Sequence, residues 1–309
     1  MIGVIGEALI DLEVAEADPG RPTAHPGGSP MNVAVTLARL ETEVSFLGRL
    51  STDPFGRLLR SHLTRSGVDL RWSVGAAEPT SLAIVSLARD GGANYSFHTH
   101  GTADWQWTPE ELPEVCAFDA VHAGSLALAL DPGGPVVERW LARLGESTTV
   151  SLDPNVRPAL LGDRDSYRRR LERWLPFSDI VKVSDEDLAW TYPEAAPASL
   201  AREWIAAGRR LVVVTRGGEG SLVFCGGDEF AVPSRPTNMV DTVGAGDSFS
   251  GALLDWLSRH GRLRPEGLAR LTGPEARSAV EFATAVAAVT CSRAGADPPR
   301  RSELPAALR

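Results

Sequence analysis

Asp241-Thr-Val-Gly-Ala-Gly-Asp247-Ser-Phe249 is the stretch on which the reading of this 309-residue chain turns. Its glycines keep side chains away from the backbone, and the residues from Asp247 to Leu254 have helical character. A glycine-rich turn that opens a helix presents free N–H groups at the positive end of the helix dipole, an arrangement that favours phosphate. A carboxylate at Asp247, on the first turn, would stand beside a phosphoryl group bound there and accept a proton from an attacking hydroxyl. Read in isolation, the same residues describe a tight turn followed by a helix cap. The flanking Asp241-Thr242 and Phe249 extend the pattern beyond that.

Outward from this turn, short β-branched runs alternate with longer amphipathic stretches. Strands are expected at Ile2–Ile5, Val44–Leu47, Leu82–Leu87, Ala120–Ala123, Thr149–Leu152, Ile180–Val183, Leu211–Thr215 and Ser221–Cys225. Helices are expected at Asn32–Leu40, Phe55–Ser66, Pro135–Leu144, Ser166–Pro176, Leu200–Ala207, Gly246–Arg259 and Pro274–Cys291. Such alternation implies an α/β fold with a mostly parallel sheet covered on both faces, its ligands beyond the carboxyl ends of the strands. Residues 11–26 and 72–100 break the rhythm. They read as extended segments, the second around the turn Arg89-Asp-Gly-Gly92, which would pair as a small sheet able to cover the site and exclude water. Ordinary edge strands would look the same.

Composition narrows the function. With 43% hydrophobic and 23% charged residues the chain reads as an ordinary globular protein. A net charge of −9 speaks against nucleic acid as a partner. The apolar runs fall short of the ~20 residues of a membrane span, and the first residues lack a signal peptide's basic start, so a cytoplasmic location is expected. Cys116, Cys225 and Cys291 are too scattered for a disulfide framework or a metal knuckle. Lys182 is the only lysine, and Val181-Lys-Val-Ser184 offers no preceding glycine, so a Walker-type phosphate loop is excluded. Gly3-Val-Ile-Gly6 lacks the glycine spacing of a dinucleotide turn.

Seven segments, in order along nearly the whole chain, resemble the ribokinase-like (PfkB) carbohydrate kinases, and their fructokinase-like branch in particular. Asp241–Phe249 is similar to the family's C-terminal signature, and Gly27-Gly28-Ser-Pro-Met-Asn32-Val-Ala34 to its N-terminal sugar-binding signature. The others are Gly6–Asp11, Asp53–Gly56, Gly101–Asp104, Asp153–Arg157 and Ser292–Pro299. The resemblance implies one three-layer ribokinase-like kinase domain over residues 1–309, with a small β-sheet lid at about 11–26 and 72–100. It implies ATP and Mg²⁺, a K⁺ near Asp241 and a small sugar as acceptor; a lid with an exposed apolar face would favour a homodimer through it. In the implied site Asp247 is the catalytic base, and the Gly244-Ala245-Gly246 turn binds the transferred phosphoryl group together with Arg157. Asp11, Gly27, Gly28 and Asn32 would hold the sugar. Ser184, Thr215, Gly217, Gly220 and Thr284 would face ATP, with Asp187 reaching Mg²⁺ through water.

The chain departs from the family pattern at identifiable places. Ser184-Asp-Glu-Asp187 stands where relatives often carry Asn-x-x-Glu, and Glu41 and Ser51 replace glycines. His98 and His100 stand where fructokinases often have Tyr and an arginine-containing run. Fructose is the first acceptor to expect, with ribose, a nucleoside or a keto-deoxy sugar acid as alternatives. A catalytically silent sugar-binding module on the same fold is the competing class, and a test of ATP consumption separates it.

Overall fold

Every one of the expected strands forms, and the six that run parallel in the main sheet bring their carboxyl ends to one edge of it. The computed structural model describes residues 1–15, 18–87, 93–114 and 118–309, so the turn at Arg89–Gly92 and Cys116 lie outside the described residues. The strands are β1 (Ile2–Ile5), β2 (Leu9–Ala15), β3 (Thr23–Gly27), β4 (Val44–Leu47), β5 (Arg49–Ser51), β6 (Val74–Ala76) and β7 (Leu82–Leu87). They continue as β8 (Ala93–His98), β9 (Ala120–Gly124), β10 (Thr149–Asp153), β11 (Ile180–Ser184), β12 (Leu211–Thr215), β13 (Ser221–Cys225) and β14 (Asp228–Val232).

The main sheet has eight strands in the order β14-β13-β12-β11-β10-β9-β1-β4. Its strands from β12 to β4 are parallel, and β13 and β14 are added antiparallel at one edge. Side chains alternate between two buried layers, as strands covered on both faces require. In β12, Leu211 and Val213 join one apolar cluster while Val212 and Val214 join the other. Helices Ser29–Arg39, Pro54–Ser66, Ala245–Arg259 and Gly273–Cys291 supply buried residues to the first cluster. Helices Gly134–Ala142, Arg164–Trp174 and Pro197–Ala206 supply the second, which makes a three-layer α/β/α molecule.

A second sheet, in the order β3-β2-β7-β8, is built from Leu9–Ala15, Thr23–Gly27, Leu82–Leu87 and Ala93–His98. Val74–Ala76 does not join it. That strand pairs with β5 instead, because Val74 donates to the Gly48 carbonyl and the Trp72 side chain packs on the main core. His98 lies at the end of β8 opposite Leu82, and both His98 and His100 are exposed.

Among the described residues, no helix is long and apolar enough to cross a membrane.

Candidate active site

The first helix after β3 and the helix after the glycine turn cross closely, and this crossing builds the centre of the site. Gly251 makes it possible: a Cβ there would lie 2.7 Å from the Thr36 Cβ and 3.1 Å from the Val33 carbonyl oxygen. The crossing carries Ser29 and Asn32 to the first turn of helix Ala245–Arg259. Ser29 Oγ donates to Asp247 Oδ1 at 2.7 Å and Asn32 Nδ2 donates to Asp247 Oδ2 at 2.8 Å. Both oxygens of a buried carboxylate are thus partnered across more than two hundred residues of sequence. Burial raises the Asp247 pKa above the ordinary aspartate value, and Asp153 adds to this. The two donors and Lys182 pull the other way without reversing it.

Gly244 opens the turn in the left-handed region, φ 73°, where a side chain is strained. A Cβ there would also meet the Ala296 Cβ at 2.6 Å, so the turn packs directly on the Ser292–Pro299 segment. Asp241 ties the same two segments together. Its Oδ1 accepts from the Val243 N–H at 3.0 Å and its Oδ2 from the Gly295 N–H at 2.8 Å. The N–H groups of Gly244, Gly246 and Asp247 have no acceptor among the described residues, whereas Ala245 spends its N–H on the Thr242 carbonyl at 3.2 Å. The unpaired donors at this end are therefore Gly244, Gly246 and Asp247, and Ala245 closes the turn.

Asp11, on β2, is half-buried and faces the site from the small sheet. Its carboxylate rests on Gly27, where a Cβ would lie 2.1 Å from Asp11 Oδ2, so only glycine leaves it room. Gly28, at φ 112°, brings the backbone against the Glu7 carbonyl. Burial raises the Asp11 pKa to about 6, with His25 and Arg157 opposing and Asp247 adding. Arg157 is exposed, donates to the Val156 carbonyl at 3.0 Å, and its charge acts on both Asp11 and Glu7.

On the other side lie the residues expected to face a nucleotide. Ser184 caps helix Asp185–Thr191, its Oγ accepting from the Asp187 N–H at 3.0 Å. Asp187 accepts from the Val156 N–H at 3.0 Å and the Ser184 N–H at 3.4 Å, which makes it a clamp between two loops. Its pKa is raised by burial and then by Asp153, with Lys182 opposing. Thr215 ends β12, Gly217 and Gly220 shape the following turn at φ 49° and 86°, and Thr284 bonds back to the Val280 carbonyl within its own helix. Among the described residues no hydrogen bond joins these four to the Asp247 cluster.

Three features were not singled out from sequence alone. Ser29 is a second donor to Asp247, hidden because serine before Pro30 reads as a helix start. Lys182 Nζ donates to Asp153 Oδ2 at 2.9 Å, and both side chains are buried. A lone lysine inside an apolar strand is the signal that could have pointed to it. Glu7 is 2% exposed, and its Oε2 has no hydrogen-bond partner. Burial pushes its pKa up to about 7.

A buried carboxylate on the first turn of a helix with unpaired N–H groups, beyond the carboxyl edge of a parallel sheet, suits an α/β phosphotransferase that dispenses with a lysine-bearing phosphate loop. Residues 1–303 match the family described as pfkB family carbohydrate kinase, and the chain belongs to that family. It is a sugar kinase. A fructokinase of Rhizobium leguminosarum bv. trifolii is 36% identical over 288 residues, covering 90% of this chain and 87% of that protein. The fructokinase of Xylella fastidiosa with bound ATP superposes with a TM-score of 0.88 at 28% identity, over 96% of this chain and 93% of that one. The fructokinase of Vibrio cholerae O395 bound to fructose, ADP and calcium gives a TM-score of 0.82 at 28% identity, over 96% and 94% of the two chains.

Proposed function

We propose that this sugar kinase transfers the γ-phosphoryl group of ATP to a primary hydroxyl of fructose, with Asp247 as the catalytic base. The observation that carries the reading is the Asp247 carboxylate, buried on the first turn of a helix with unpaired N–H groups and oriented at both oxygens by neutral donors. Fructose is favoured because curated relatives at 36% identity are fructokinases and a solved neighbour holds fructose and ADP.

In this reading Asp11 accepts hydrogen bonds from sugar hydroxyls, while Gly27 and Gly28 let the sugar approach the backbone. Asn32 has one amide hydrogen on Asp247 and a second for the acceptor. Asp247 takes the proton of the attacking hydroxyl. The N–H groups of the Gly244–Asp247 turn and the Arg157 guanidinium hold the transferred group in line. Ser184, Thr215, Gly217, Gly220 and Thr284 flank the nucleotide. The small sheet β3-β2-β7-β8 acts as a lid that keeps water out, and pairing of two lids makes a homodimer.

Among the described residues no group of three or more His, Cys, Asp or Glu forms a metal cage. Asp187, a carboxylate beside the Ser184 turn, suits Mg²⁺, which is held mainly by phosphates and water with few protein carboxylates. Asp187 would reach it through water, and Asp241 fits a monovalent cation. The divalent ion, when bound, neutralises the triphosphate.

A coupled assay of ATP consumption against fructose, ribose, nucleosides and a keto-deoxy sugar acid, with and without Mg²⁺ and K⁺, tests the acceptor. Turnover highest on another acceptor replaces fructose, and no turnover on any removes the kinase reading. Asp247→Asn is expected to bind fructose and lose at least ~10²-fold in kcat. Near-normal turnover in that variant removes Asp247 as base.

A further inference from the structure

The only lysine of the chain lies inside the sheet, directly behind the glycine turn. Lys182 projects from β11 on the face covered by helix Ala245–Arg259, and a Cβ on Gly246 would lie 2.9 Å from its Nζ. Only one of its three N–H donors has an acceptor among the described residues, Asp153 Oδ2 at 2.9 Å, and that oxygen also accepts from Ser250 Oγ at 3.2 Å. Asp153 Oδ1 is buried without a hydrogen bond. A buried ion pair of this kind contributes little to stability for its cost, since an apolar pair of similar volume serves as well or better. Its position offers another reason for it. The ammonium lies against the turn that carries the unpaired N–H groups, and it adds a fixed positive charge to that helix end.

We propose that Lys182 is a positioning residue for phosphoryl transfer: anchored by Asp153, its ammonium supports the Gly244–Asp247 turn from inside the sheet and holds Asp247 in its charged form. Gly246 has no side chain because Lys182 occupies that space. The groups facing this charge are Asp153 on β10, Asp187 in the following helix, Asp247 across the turn and His122 on β9. Asp247 in turn feels Asp153, Lys182 and, from the small sheet, Asp11. Burial works against the lysine's charge, yet the three carboxylates outweigh it and keep the ammonium protonated. His122 is buried and neutral at physiological pH, its pKa lowered to about 4 chiefly by burial, so it supplies no competing cation.

The inference rests on Asp247 acting as base, and the test separates the two. Lys182→Met is expected to lower kcat about tenfold with the sugar KM changed less than about threefold, and to move the acid limb of the pH–rate profile upward. The sign follows from the loss of a positive charge that favours the Asp247 carboxylate. Because Lys182→Met leaves Asp153 buried and unpaired, Lys182→Met with Asp153→Leu is the companion variant. It is expected to melt close to wild type, keep the acid limb in place because two opposing charges leave together, and still lose about tenfold in kcat. In a cycle with Lys182→Ala, Gly246→Ala is expected to cost less than it does in the wild type. Wild-type kcat in the folded Lys182→Met, Asp153→Leu protein overturns the inference while leaving the Asp247 reading intact. Normal turnover of Asp247→Asn overturns the Asp247 reading, and this inference with it.

Discussion

Asp247 and Asp11 are both carboxylates raised by burial, facing one site from two different layers, and the protein treats them in opposite ways. Asp247 has each oxygen fixed by a neutral donor, Ser29 and Asn32, and stands on a helix packed into the core. Asp11 sits half-buried on a strand of the small sheet, with no hydrogen bond to its carboxylate among the described residues and only Gly27 beneath it. A base must be aimed before the acceptor arrives, because its geometry decides the rate. A group that clasps the acceptor keeps its lone pairs free, and the incoming hydroxyls then offset its desolvation. With the roles proposed for them, the difference between the two carboxylates is a difference between preorganisation and reserved capacity.

The sharpest way to break this contrast is to make Asp247 resemble Asp11. Ser29→Ala combined with Asn32→Ala removes both donors and leaves a buried carboxylate without support. We expect kcat/KM at neutral pH to fall by about 10²-fold. Both donors favour the charged form, so the Asp247 pKa rises further when they go, and the acid limb of the profile moves to higher pH. The deficit should therefore narrow as pH rises. A deficit equal at every pH would show that the donors set geometry alone.

The converse change acts on the Asp11 side. Gly27→Ala places a Cβ within 2.1 Å of Asp11 Oδ2, and the carboxylate must move off its seat. The expected result is a sugar KM raised by about 30-fold, with kcat altered much less, since Asp247, the proposed base, is untouched. Steady-state kinetics with fructose as the varied substrate decide it, and a loss confined to kcat would put Asp11 with the catalytic group instead.

How far the site could be read from sequence follows the same division. The main strands were legible because two buried layers force apolar runs of four or five residues, as in Leu211–Thr215. The glycine turn was legible because φ 73° at Gly244 and the close approach at Gly246 leave marks in residue type. The short strands Arg49–Ser51 and Val74–Ala76 were missed, since three residues carry no readable period. Ser29, Lys182 and Asp153 were also missed as functional groups. Their meaning lies in contacts across tens to hundreds of residues, and a helix crossing at Gly251 leaves no local pattern that names its partner.

Glu7 extends the comparison to a carboxyl with neither donor at one oxygen nor open solvent. Its pKa, raised by burial to about 7 from an ordinary 4.5, means that the folded protein holds a proton there that the unfolded chain releases earlier. The stability from the neutral form is complete below pH ~4.5 and is lost as pH rises through about 7. Glu7→Gln is neutral throughout, so its stability relative to wild type should improve between pH 5 and pH 8, by roughly 2 to 3 kcal/mol. Denaturant melts of both proteins at the two pH values measure this. A wild-type advantage that grows with pH would mean that Glu7 is charged and partnered.

Asp53 supplies the smallest and cleanest contrast, a carboxylate whose partners are all structural. It caps helix Pro54–Ser66 through the Gly56 N–H at 2.7 Å, and it accepts the Thr80 N–H at 2.8 Å and hydroxyl at 2.7 Å. Burial acts to raise its pKa, but these donors prevail and hold it below the ordinary value. The stability it contributes is therefore present above the unfolded pKa and lost as pH falls through the lower folded one. Asp53→Ala should cost about 1 kcal/mol at pH 7, the usual worth of a helix cap, and this difference should shrink towards pH 3. Turnover per folded molecule should stay at the wild-type level, since neither Asp247 nor Asp11 touches this residue. A drop in kcat without a drop in melting temperature would instead link the helix Pro54–Ser66 to the site, and would break the division between carboxylates that hold the fold and carboxylates that meet the sugar.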